Sequence, residues 1–183
     1  MSHATDAILS RCTAQMRYDS PLGPLLLART AEGLAGAWFA AQKHHPAPID
    51  APVREDDPLL RRAAAQLAAY FDGAAAAFDL PLDLLGTPFQ RAVWQELLAI
   101  ERGRTCSYGD IARKLGSPTA GRAVGAAVGR NPVSVIVPCH RVLGSDGALT
   151  GYAGGLERKT ALLRLEAARG PTHRDAPAQM EIH

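Results

Sequence analysis

The sequence predicts a mixed α/β (α+β) protein in which a small sheet with one helix is followed by a mainly helical half. Short apolar runs between residues 15 and 39, separated by Pro and Gly, are typical of strands joined by hairpins. Apolar residues recur at helical spacing over residues 59–71 and again from Thr87 onward. The 183 residues are 47% hydrophobic, which is enough for a real core in one compact unit or two small domains.

The N-terminal half is predicted to begin with a flexible leader, residues 1–12, which lacks the basic and apolar regions of a signal peptide. The turn-forming residues 20–24 (SPLGP) precede the apolar run 25–28 (LLLA), and residues 33–39 (GLAGAWF) form a second run. These runs predict two or three strands. Residues 42–58 are rich in Pro, His and Asp and are predicted to be a loop.

One helix and one further strand complete this half. Apolar residues at helical spacing predict a helix over residues 59–71, which the following Asp72-Gly73 ends. Residues 74–81 are interpreted as a short strand that returns to the first sheet. The apolar positions of the helix are Leu60, Ala64, Leu67 and Phe71.

The second half opens with an amphipathic helix. Thr87 is a favourable N-cap residue, and Pro88 is favoured in the first helical turn. We expect the helix to end at Gly103. Its apolar positions follow one another at helical spacing and are Phe89, Val93, Leu97 and Ile100.

A pair of shorter helices is predicted next. Ser107 and Asp110 resemble a capping box at the start of a helix that reaches Gly116. Residues 117–119 (SPT) are predicted to begin a second helix that extends to about Gly129. A helix, a Gly-containing turn and a second helix form the helix-turn-helix pattern, although this spacing also occurs in many other helical proteins.

The second helix of this pair consists almost entirely of small residues. Residues 120–129 (AGRAVGAAVG) contain glycines that each cost roughly 1 kcal/mol in a helix relative to alanine. Either close packing against another helix compensates for this cost, or the helix must enter a confined space such as a nucleic-acid groove. In the second case Arg122 projects from the helix, since a side chain in the minor groove can take the place of an extruded base.

The segment IVPCHRV contains the residues best suited to chemistry. We interpret residues 133–137 as a short buried strand that Pro138 ends, so that Cys139 lies at a strand end. A thiolate is the reactive form of cysteine, and basic or cationic neighbours such as His140 and Arg141 raise the thiolate fraction. The alternative is a buried structural cysteine beside an incidental His-Arg pair.

A carboxylate on the last predicted helix is suitably placed to support such a site. Helical spacing puts Glu166 on the apolar face of that helix, where a carboxylate needs a partner. The alternative is a glutamate solvated at the edge of the apolar stripe. The face contains Leu156, Leu162, Leu163 and Glu166. Beyond this helix, residues 170–183 are polar and are predicted to be a disordered tail.

Charge and cysteine content restrict the function only loosely. A net charge of +2 neither demands nor excludes nucleic acid as a partner. Cys12, Cys106 and Cys139 are too scattered for a disulfide framework or a metal knuckle, so we expect a reducing, cytoplasmic setting and no metal site. The apolar runs are too short to cross a bilayer, so no membrane partner is expected.

Taken together, the motifs of the second half resemble the O6-alkylguanine-DNA alkyltransferases, or methylated-DNA–protein-cysteine methyltransferases. They occur in the family's order between residue 87 and about residue 168, whereas residues 15–86 match the family's N-terminal domain only loosely. The resemblance implies an RNase H-like domain over residues 13–86 and a winged helix-turn-helix-like catalytic domain over residues 87–169. The motifs are TPFQRAVW at 87–94, SYGDIA at 107–112, RAVG at 122–125, NP at 131–132, PCHRV at 138–142 and GYAGG at 151–155.

The resemblance implies a DNA repair protein that acts once. It would flip O6-alkylguanine out of duplex DNA from the minor groove and transfer the alkyl group irreversibly to Cys139. No cofactor is needed, the partner is double-stranded DNA containing the lesion, and the protein is expected to act as a monomer. Two departures from the family pattern are Glu101, where proline is usual, and Ala153, where some members have serine, so that bulkier alkyl groups could fit.

The resemblance also implies individual functions for the site residues. Cys139 would accept the alkyl group, with His140 as its base through a water and Glu166 orienting His140. Backbone groups of the pocket would donate to O6 and accept from the exocyclic amine of guanine. The implied catalytic set is Cys139, His140, Glu166, Asn131 and Tyr108; the DNA-contacting set is Arg122, Tyr108, Ala123, Ser107 and Thr119; the pocket set is Val128, Val142, Tyr152 and Ala153.

Other functions stay open at this point. A non-catalytic protein that only binds alkylated bases is one, and the presence of Cys139 argues against it. A helix-turn-helix regulator is another, but a major-groove reader would have several polar side chains at the start of its second helix, and here there is only Arg122. A thiol hydrolase would require turnover, which the family's chemistry does not give.

Overall fold

The structure, a computed structural model, describes residues 8–74 and 77–167. It confirms the mixed α/β class, with a small antiparallel sheet followed by a mainly helical half. Only part of the predicted leader is described, and there Ile8 is buried in a cluster with Trp38 and Ile49, so this part packs on the sheet. The rest of the leader and the predicted tail lie outside the described residues.

The sheet contains strands β1 (Ala14–Ser20), β2 (Gly23–Arg29) and β3 (Leu34–Phe39) in the order β1-β2-β3, all antiparallel. The predicted strands are therefore confirmed. The tight turn between β1 and β2 requires Gly23, whose φ of +106° is open only to glycine at little cost.

The strand predicted over residues 74–81 is wrong. The described residues of this segment belong to no strand, and pairing is limited to one parallel bridge between Leu82 and Leu34. The carbonyl of Pro81 accepts from the Leu34 N–H at 2.8 Å. Pro81 has no N–H with which to extend the ladder, so the pairing stops there.

Helix α1 (Pro58–Phe71) packs its apolar face on the sheet. The Asp57 carboxylate caps its start by accepting from the N–H groups of Leu59 and Leu60, each at 3.0 Å. The predicted end is confirmed, with Asp72 as C-cap and Gly73 at a φ of +72°. The buried residues of the helix are Leu60, Ala63, Leu67 and Tyr70.

Helix α2 (Pro88–Leu98) begins as predicted, with a capping box between Thr87 and Gln90. It ends at Leu98 with Ala99 as C-cap, well before Gly103, where the end was predicted, and the Ile100 carbonyl beyond the helix accepts a hydrogen bond from the Arg141 guanidinium. Gly103 instead occupies the following turn at a φ of +77°. Phe89, which was predicted on the apolar face, is 39% exposed, whereas Val93, Leu97 and Ile100 are buried.

Helices α3 (Tyr108–Lys114) and α4 (Gly121–Gly129) form the predicted helix-turn-helix pair. The capping box of Ser107 and Asp110 is present at the start of α3. Helix α4 begins later than predicted, because residues 117–120 form a turn in which the Ala120 N–H donates to the Ser117 carbonyl at 2.9 Å. Ala120 then provides no side-chain cap for α4.

Two short elements and one helix complete the described chain. Strands β4 (Cys106–Ser107) and β5 (Val142–Leu143) pair in parallel, next to the start of α3. Helix α5 (Leu156–Ala167) buries Glu166, as its spacing predicts. Leu156, predicted on the same face, is 48% exposed, and the buried positions are Lys159, Leu162 and Glu166.

The two halves share one apolar core and several polar contacts. Ala37 of β3 donates to the Pro132 carbonyl and accepts from the Ser134 N–H, both at 2.9 Å. Arg158 of α5 donates to the Leu22 carbonyl at 2.8 Å, and its guanidinium lies 4.6 Å from the Phe39 ring centroid. These contacts hold the segment before Cys139 against the sheet. None of the described helices combines the length and hydropathy that crossing a bilayer requires.

Candidate active site

Cys139 begins a single 3-10 turn, Cys139–Arg141, and the residues before it also form tight turns. The Ile136 N–H donates to the Ser134 carbonyl at 2.9 Å, with Val135 between them at a φ of +72°. The strand predicted over residues 133–137 is therefore wrong, although all five side chains are buried. A β-branched residue at this φ is strained by about 1–3 kcal/mol, as is often found at functional sites.

Asn131 supplies the hydrogen bonds that a neighbouring strand would otherwise provide. Its Oδ1 accepts from the Val133 N–H at 2.9 Å, and its Nδ2 donates to the Val137 carbonyl at 2.8 Å. The same Nδ2 donates to Cys139 Sγ at 3.1 Å. Because one buried amide satisfies this backbone, an apolar run can turn rather than extend, and a donor is left pointing at the sulfur.

The Cys139 thiol is buried, with 3% of its surface exposed. Burial raises the pKa of Cys139 to about 11, and the Asn131 hydrogen bond, the Lys159 charge and nearby backbone N–H groups lower it by less. At neutral pH the sulfur is therefore a thiol. It needs a base that takes its proton before it can act as a nucleophile.

His140, the next residue in the chain, is the base that the sequence predicts. Its Nε2 lies 2.8 Å from Oε1 of Glu166, and both side chains are inaccessible to solvent. A carboxylate acceptor requires the proton on Nε2, which leaves Nδ1 unprotonated. Nδ1 has no hydrogen-bond partner among the described residues. Burial lowers the pKa of His140, although Glu166 acts to raise it, so the resting imidazole is neutral.

The Glu166 carboxylate is charged and held by several donors. Burial alone would raise its pKa, but hydrogen bonds from His140 and Arg141 outweigh burial and hold the pKa well below its usual range. Arg141 donates through Nη2 to Oε1 at 2.8 Å and through Nε to Oε2 at 3.0 Å. The Tyr70 hydroxyl donates to Oε1 at 2.7 Å, and the Gly103 N–H donates to Oε2 at 3.3 Å.

Sequence reasoning missed the contributions of Arg141, Tyr70 and Lys159. The Arg141 guanidinium faces Glu166, whereas the sequence placed it only as a neighbour of the thiol. Lys159 is fully buried and donates through Nζ to the carbonyls of Val142 at 2.6 Å and Thr150 at 2.7 Å. Burial lowers the pKa of Lys159 to about 8, while Cys139 acts to raise it. Its helical spacing to Leu162 was the available signal.

A cavity of about 480 Å³ is bordered by three of the predicted residues, Tyr108, Tyr152 and Ala153. Burial raises the pKa of both tyrosines, the charge of Cys139 acts in the same direction on each, and the Thr150 hydrogen bond lowers that of Tyr108. Val128 and Val142, also predicted in the pocket, are buried in the apolar core, to which Cys139 also belongs. The other lining residues are Lys43, His44, Gly125, Ala126, Gly129, Arg130 and Gly151.

One hydroxyl and one backbone carbonyl at the cavity have partners, whereas the buried Tyr152 hydroxyl has none among the described residues. The Tyr108 hydroxyl lies 3.2 Å from the Thr150 carbonyl and 3.3 Å from that of Gly151. The Ala153 carbonyl accepts from the Lys43 N–H at 2.8 Å, so a loop of the N-terminal half borders the cavity. Within the described part of the chain, no group of three or more His, Cys, Asp or Glu side chains is arranged to hold a metal ion.

The predicted DNA-contacting residues lie on or near the helix pair. Arg122, Ala123 and Thr119 are exposed, whereas the Ser107 hydroxyl is occupied by the capping box of α3. The inner face of α4 is anchored by the Trp94 Nε1–H, which donates to the Ala127 carbonyl at 2.9 Å.

Packing does not account for the glycines of α4. A Cβ added at Gly121 or Gly129 would meet nothing within 4 Å, and one at Gly125 would make ordinary contact with the Tyr108 ring at 3.7 Å. Alanine would therefore fit at all three positions and would favour the helix. Close packing within the described chain is thus not the reason for these glycines.

The fold and site together define an α/β protein with a buried cysteine, histidine and glutamate next to a helix-turn-helix pair. Family models for the ribonuclease-like domain and the DNA binding domain of 6-O-methylguanine DNA methyltransferase match residues 16–84 and 88–168. The chain belongs to this family.

Individual relatives agree over most of the chain. A methylated-DNA–protein-cysteine methyltransferase from Mycobacterium tuberculosis is 49% identical over 84% of this chain and 92% of its own length. One from Methanosarcina acetivorans is 48% identical over 82% of this chain and 96% of its own. The crystal structure of a Mycobacterium tuberculosis O6-methylguanine methyltransferase has a TM-score of 0.78 and 47% identity, covering 87% of this chain and 96% of that one. A Mycobacterium tuberculosis relative in complex with DNA has a TM-score of 0.77, with the same identity and coverage.

Proposed function

We propose that this protein is a single-turnover methylated-DNA–protein-cysteine methyltransferase that repairs O6-alkylguanine in duplex DNA, with Cys139 as the alkyl acceptor. One observation supports this most strongly. A buried thiol with an amide donor from Asn131 stands next to a buried His140–Glu166 pair, in a chain that is 49% identical to proteins of that name. The family's chemistry needs these groups and no cofactor.

The reaction begins with a proton transfer from Cys139. Side chains of consecutive residues diverge, so the proton passes through a water to Nδ1 of His140. The resulting imidazolium is stabilised by Glu166 through the existing 2.8 Å contact. The thiolate is stabilised by the Asn131 amide and by the Lys159 ammonium, both of which lower the pKa of Cys139.

The thiolate sulfur then attacks the alkyl carbon, the carbon–O6 bond breaks, and its electron pair leaves with guanine, which takes up one proton in exchange for the one that Cys139 gave to His140. The products are unmodified guanine and an S-alkylcysteine. A thioether gives water no good leaving group, so Cys139 is not regenerated and each molecule acts once. The cavity between Tyr108, Tyr152 and Ala153 would hold the flipped base, and the small Ala153 side chain leaves room for larger alkyl groups.

Several finer features belong to the same proposal. Flipping of the base from the minor groove is supported by α4, whose glycines have no packing reason within the described chain and in which Arg122 is exposed. The division into domains over residues 13–86 and 87–169 is supported by the two family-model matches. Action as a monomer and a cytoplasmic location stay predictions from the sequence.

Intact mass after incubation with a duplex containing one O6-methylguanine tests the proposed function. We expect a stoichiometric gain of one methylene mass, located by peptide mapping on the peptide that contains Cys139. Lesion-selective binding without a mass gain would favour the non-catalytic binder. Repeated turnover would favour a hydrolase, and the absence of both transfer and selective binding would favour a regulator.

Arg122→Ala should slow transfer from duplex DNA by roughly 10- to 100-fold. No side chain then fills the gap that the extruded base leaves in the DNA base stack, so the base returns to it. Transfer from free O6-methylguanine base should be unchanged, since no stack has to be filled. Single-turnover rate constants with the two substrates measure the difference. Arg164→Ala, which removes an exposed cation from α5, is the matched control. Equal losses on both substrates would contradict the assignment of Arg122.

A further inference from the structure

Tyr70 connects the N-terminal half to the carboxylate of the active site. It lies on α1, is 1% exposed, and donates through its hydroxyl to Oε1 of Glu166 at 2.7 Å. The same oxygen accepts from Nε2 of His140 at 2.8 Å. We propose that Tyr70 is a positioning residue, which fixes the Glu166 carboxylate and limits its effect on His140. This inference rests on the proposed function.

The hydroxyl of Tyr70 is a permanent donor. Burial and the neighbouring Glu166 charge both raise the pKa of Tyr70, so the phenol keeps its proton at any pH at which the protein works. A buried hydrogen bond to a charged acceptor is stronger than one between neutral groups. The Tyr70–Glu166 contact therefore holds one carboxylate oxygen in a defined direction.

The packing of the Tyr70 ring sets the direction of its hydroxyl. The centroid of the Tyr70 ring lies 5.4 Å from the ring centroids of both Phe71 and Phe78. The Arg102 guanidinium lies 5.0 Å from the centroid of the Tyr70 ring. These contacts involve the ring and not the oxygen. Tyr70→Phe should therefore keep the ring in place and remove only the hydrogen bond to Glu166.

Sharing of Oε1 makes the hydroxyl relevant to catalysis. A carboxylate oxygen has a limited number of acceptor sites, and each donor that it accepts weakens its attraction for the others. Without Tyr70, Glu166 would favour the protonated form of His140 more strongly, so the pKa of His140 would rise. A His140 that already holds a proton on Nδ1 cannot take one from Cys139.

The other ionisable groups around this pair stay the same in the variant. Arg141 and Lys159 both act to lower the pKa of His140, and Arg102 faces the Tyr70 ring. Cys139 and Glu166 both interact electrostatically with the buried Tyr152. A change in the pH dependence of Tyr70→Phe would thus report the lost hydroxyl itself.

The test measures single-turnover transfer to Cys139 from a saturating duplex with one O6-methylguanine, between about pH 5 and pH 9. In Tyr70→Phe the fall in rate on the acid side should move up by roughly 0.5–1 pH unit, with a smaller loss at high pH. The same shift is expected with free O6-methylguanine base, which involves no DNA contact. Tyr18→Phe, which removes a hydroxyl from β1 in the same half, should leave the profile unchanged.

The outcomes separate positioning from stability and from the function itself. Partial unfolding would lower the fraction of protein that becomes alkylated without moving the pH profile of the rate constant. A uniform loss at all pH values, an unchanged profile or a variant that does not fold would overturn the proposal for Tyr70. If the wild-type protein transfers nothing, the proposed function fails first.

Discussion

Cys139→Ser is expected to abolish alkyl transfer and to leave binding to lesion-containing DNA intact. A serine hydroxyl ionises far less readily than a thiol, and the site raises even the pKa of Cys139 to about 11, so the variant has no usable nucleophile. Asn131 can donate to the new oxygen as it does to sulfur, so the turn should persist. Intact mass measures the transfer, and fluorescence anisotropy with a labelled duplex measures the binding.

The two other cysteines provide matched controls for this experiment. Cys12 and Cys106 are half-buried free thiols, and burial raises the pKa of each. The charge of Asp83 raises the pKa of Cys12 further, and the charge of Asp110 does the same for Cys106. Neither has a base within hydrogen-bonding distance among the described residues. Serine at either position should leave the mass gain and its rate unchanged. Transfer that persists in Cys139→Ser would instead identify one of these thiols as the acceptor.

The parts of the fold that sequence could predict are those fixed by neighbours in the chain. Caps at Thr87 and Ser107, the turn at Gly23 and the end of α1 depend on local hydrogen bonds and backbone preferences, and all are present. The burial of Glu166 follows from helical spacing alone. Helix capping, turn formation and helical spacing depend on residues within about one helical turn of each other, so they can be read from the sequence.

The predictions that were wrong depended on distant partners. Residues 133–137 have the composition of a strand, but the Asn131 side chain satisfies their backbone and lets them turn. Helix α2 stops before Gly103, and the Ile100 carbonyl that follows it accepts a hydrogen bond from Arg141, far along the chain. No periodicity encodes either contact, since each side chain has several possible partners until the tertiary fold is set.

The active site shows the same division between local and tertiary information. The Cys139-His140 pair is visible as a motif, but the direction in which the thiol, the imidazole and the carboxylate point is set by residues outside it. Lys159 and Tyr70 come from two different helices and meet the motif only in the folded chain. The geometry of the proposed site therefore depends on how the two halves pack as well as on the residues of the second half.

Glu166→Gln should lower the free energy of unfolding by about 3–5 kcal/mol, the usual effect of removing one partner from a buried ion pair. Arg141 is 7% exposed and would be left without a counter-charge, and His140 would lose its charged acceptor. Urea unfolding measures the loss. Asp79→Asn is the control, because the Arg62–Asp79 pair has a 95% exposed carboxylate and should contribute at most about 1 kcal/mol.

The pH dependence of stability shows whether Glu166→Gln loses stability because the charge is removed or because the packing around residue 166 changes. Its folded-state pKa lies well below the unfolded value of about 4.3, so its contribution is present above that pH and is lost as the pH falls toward the folded-state pKa. Between about pH 4 and pH 2 the unfolding free energy of the wild type should therefore fall more steeply than that of Glu166→Gln. His140, whose folded-state pKa is lowered by burial, already destabilises both proteins as the pH falls below about 6.5. Parallel curves below pH ~4 would mean that the Glu166 charge contributes nothing, and that the variant loses stability only through packing.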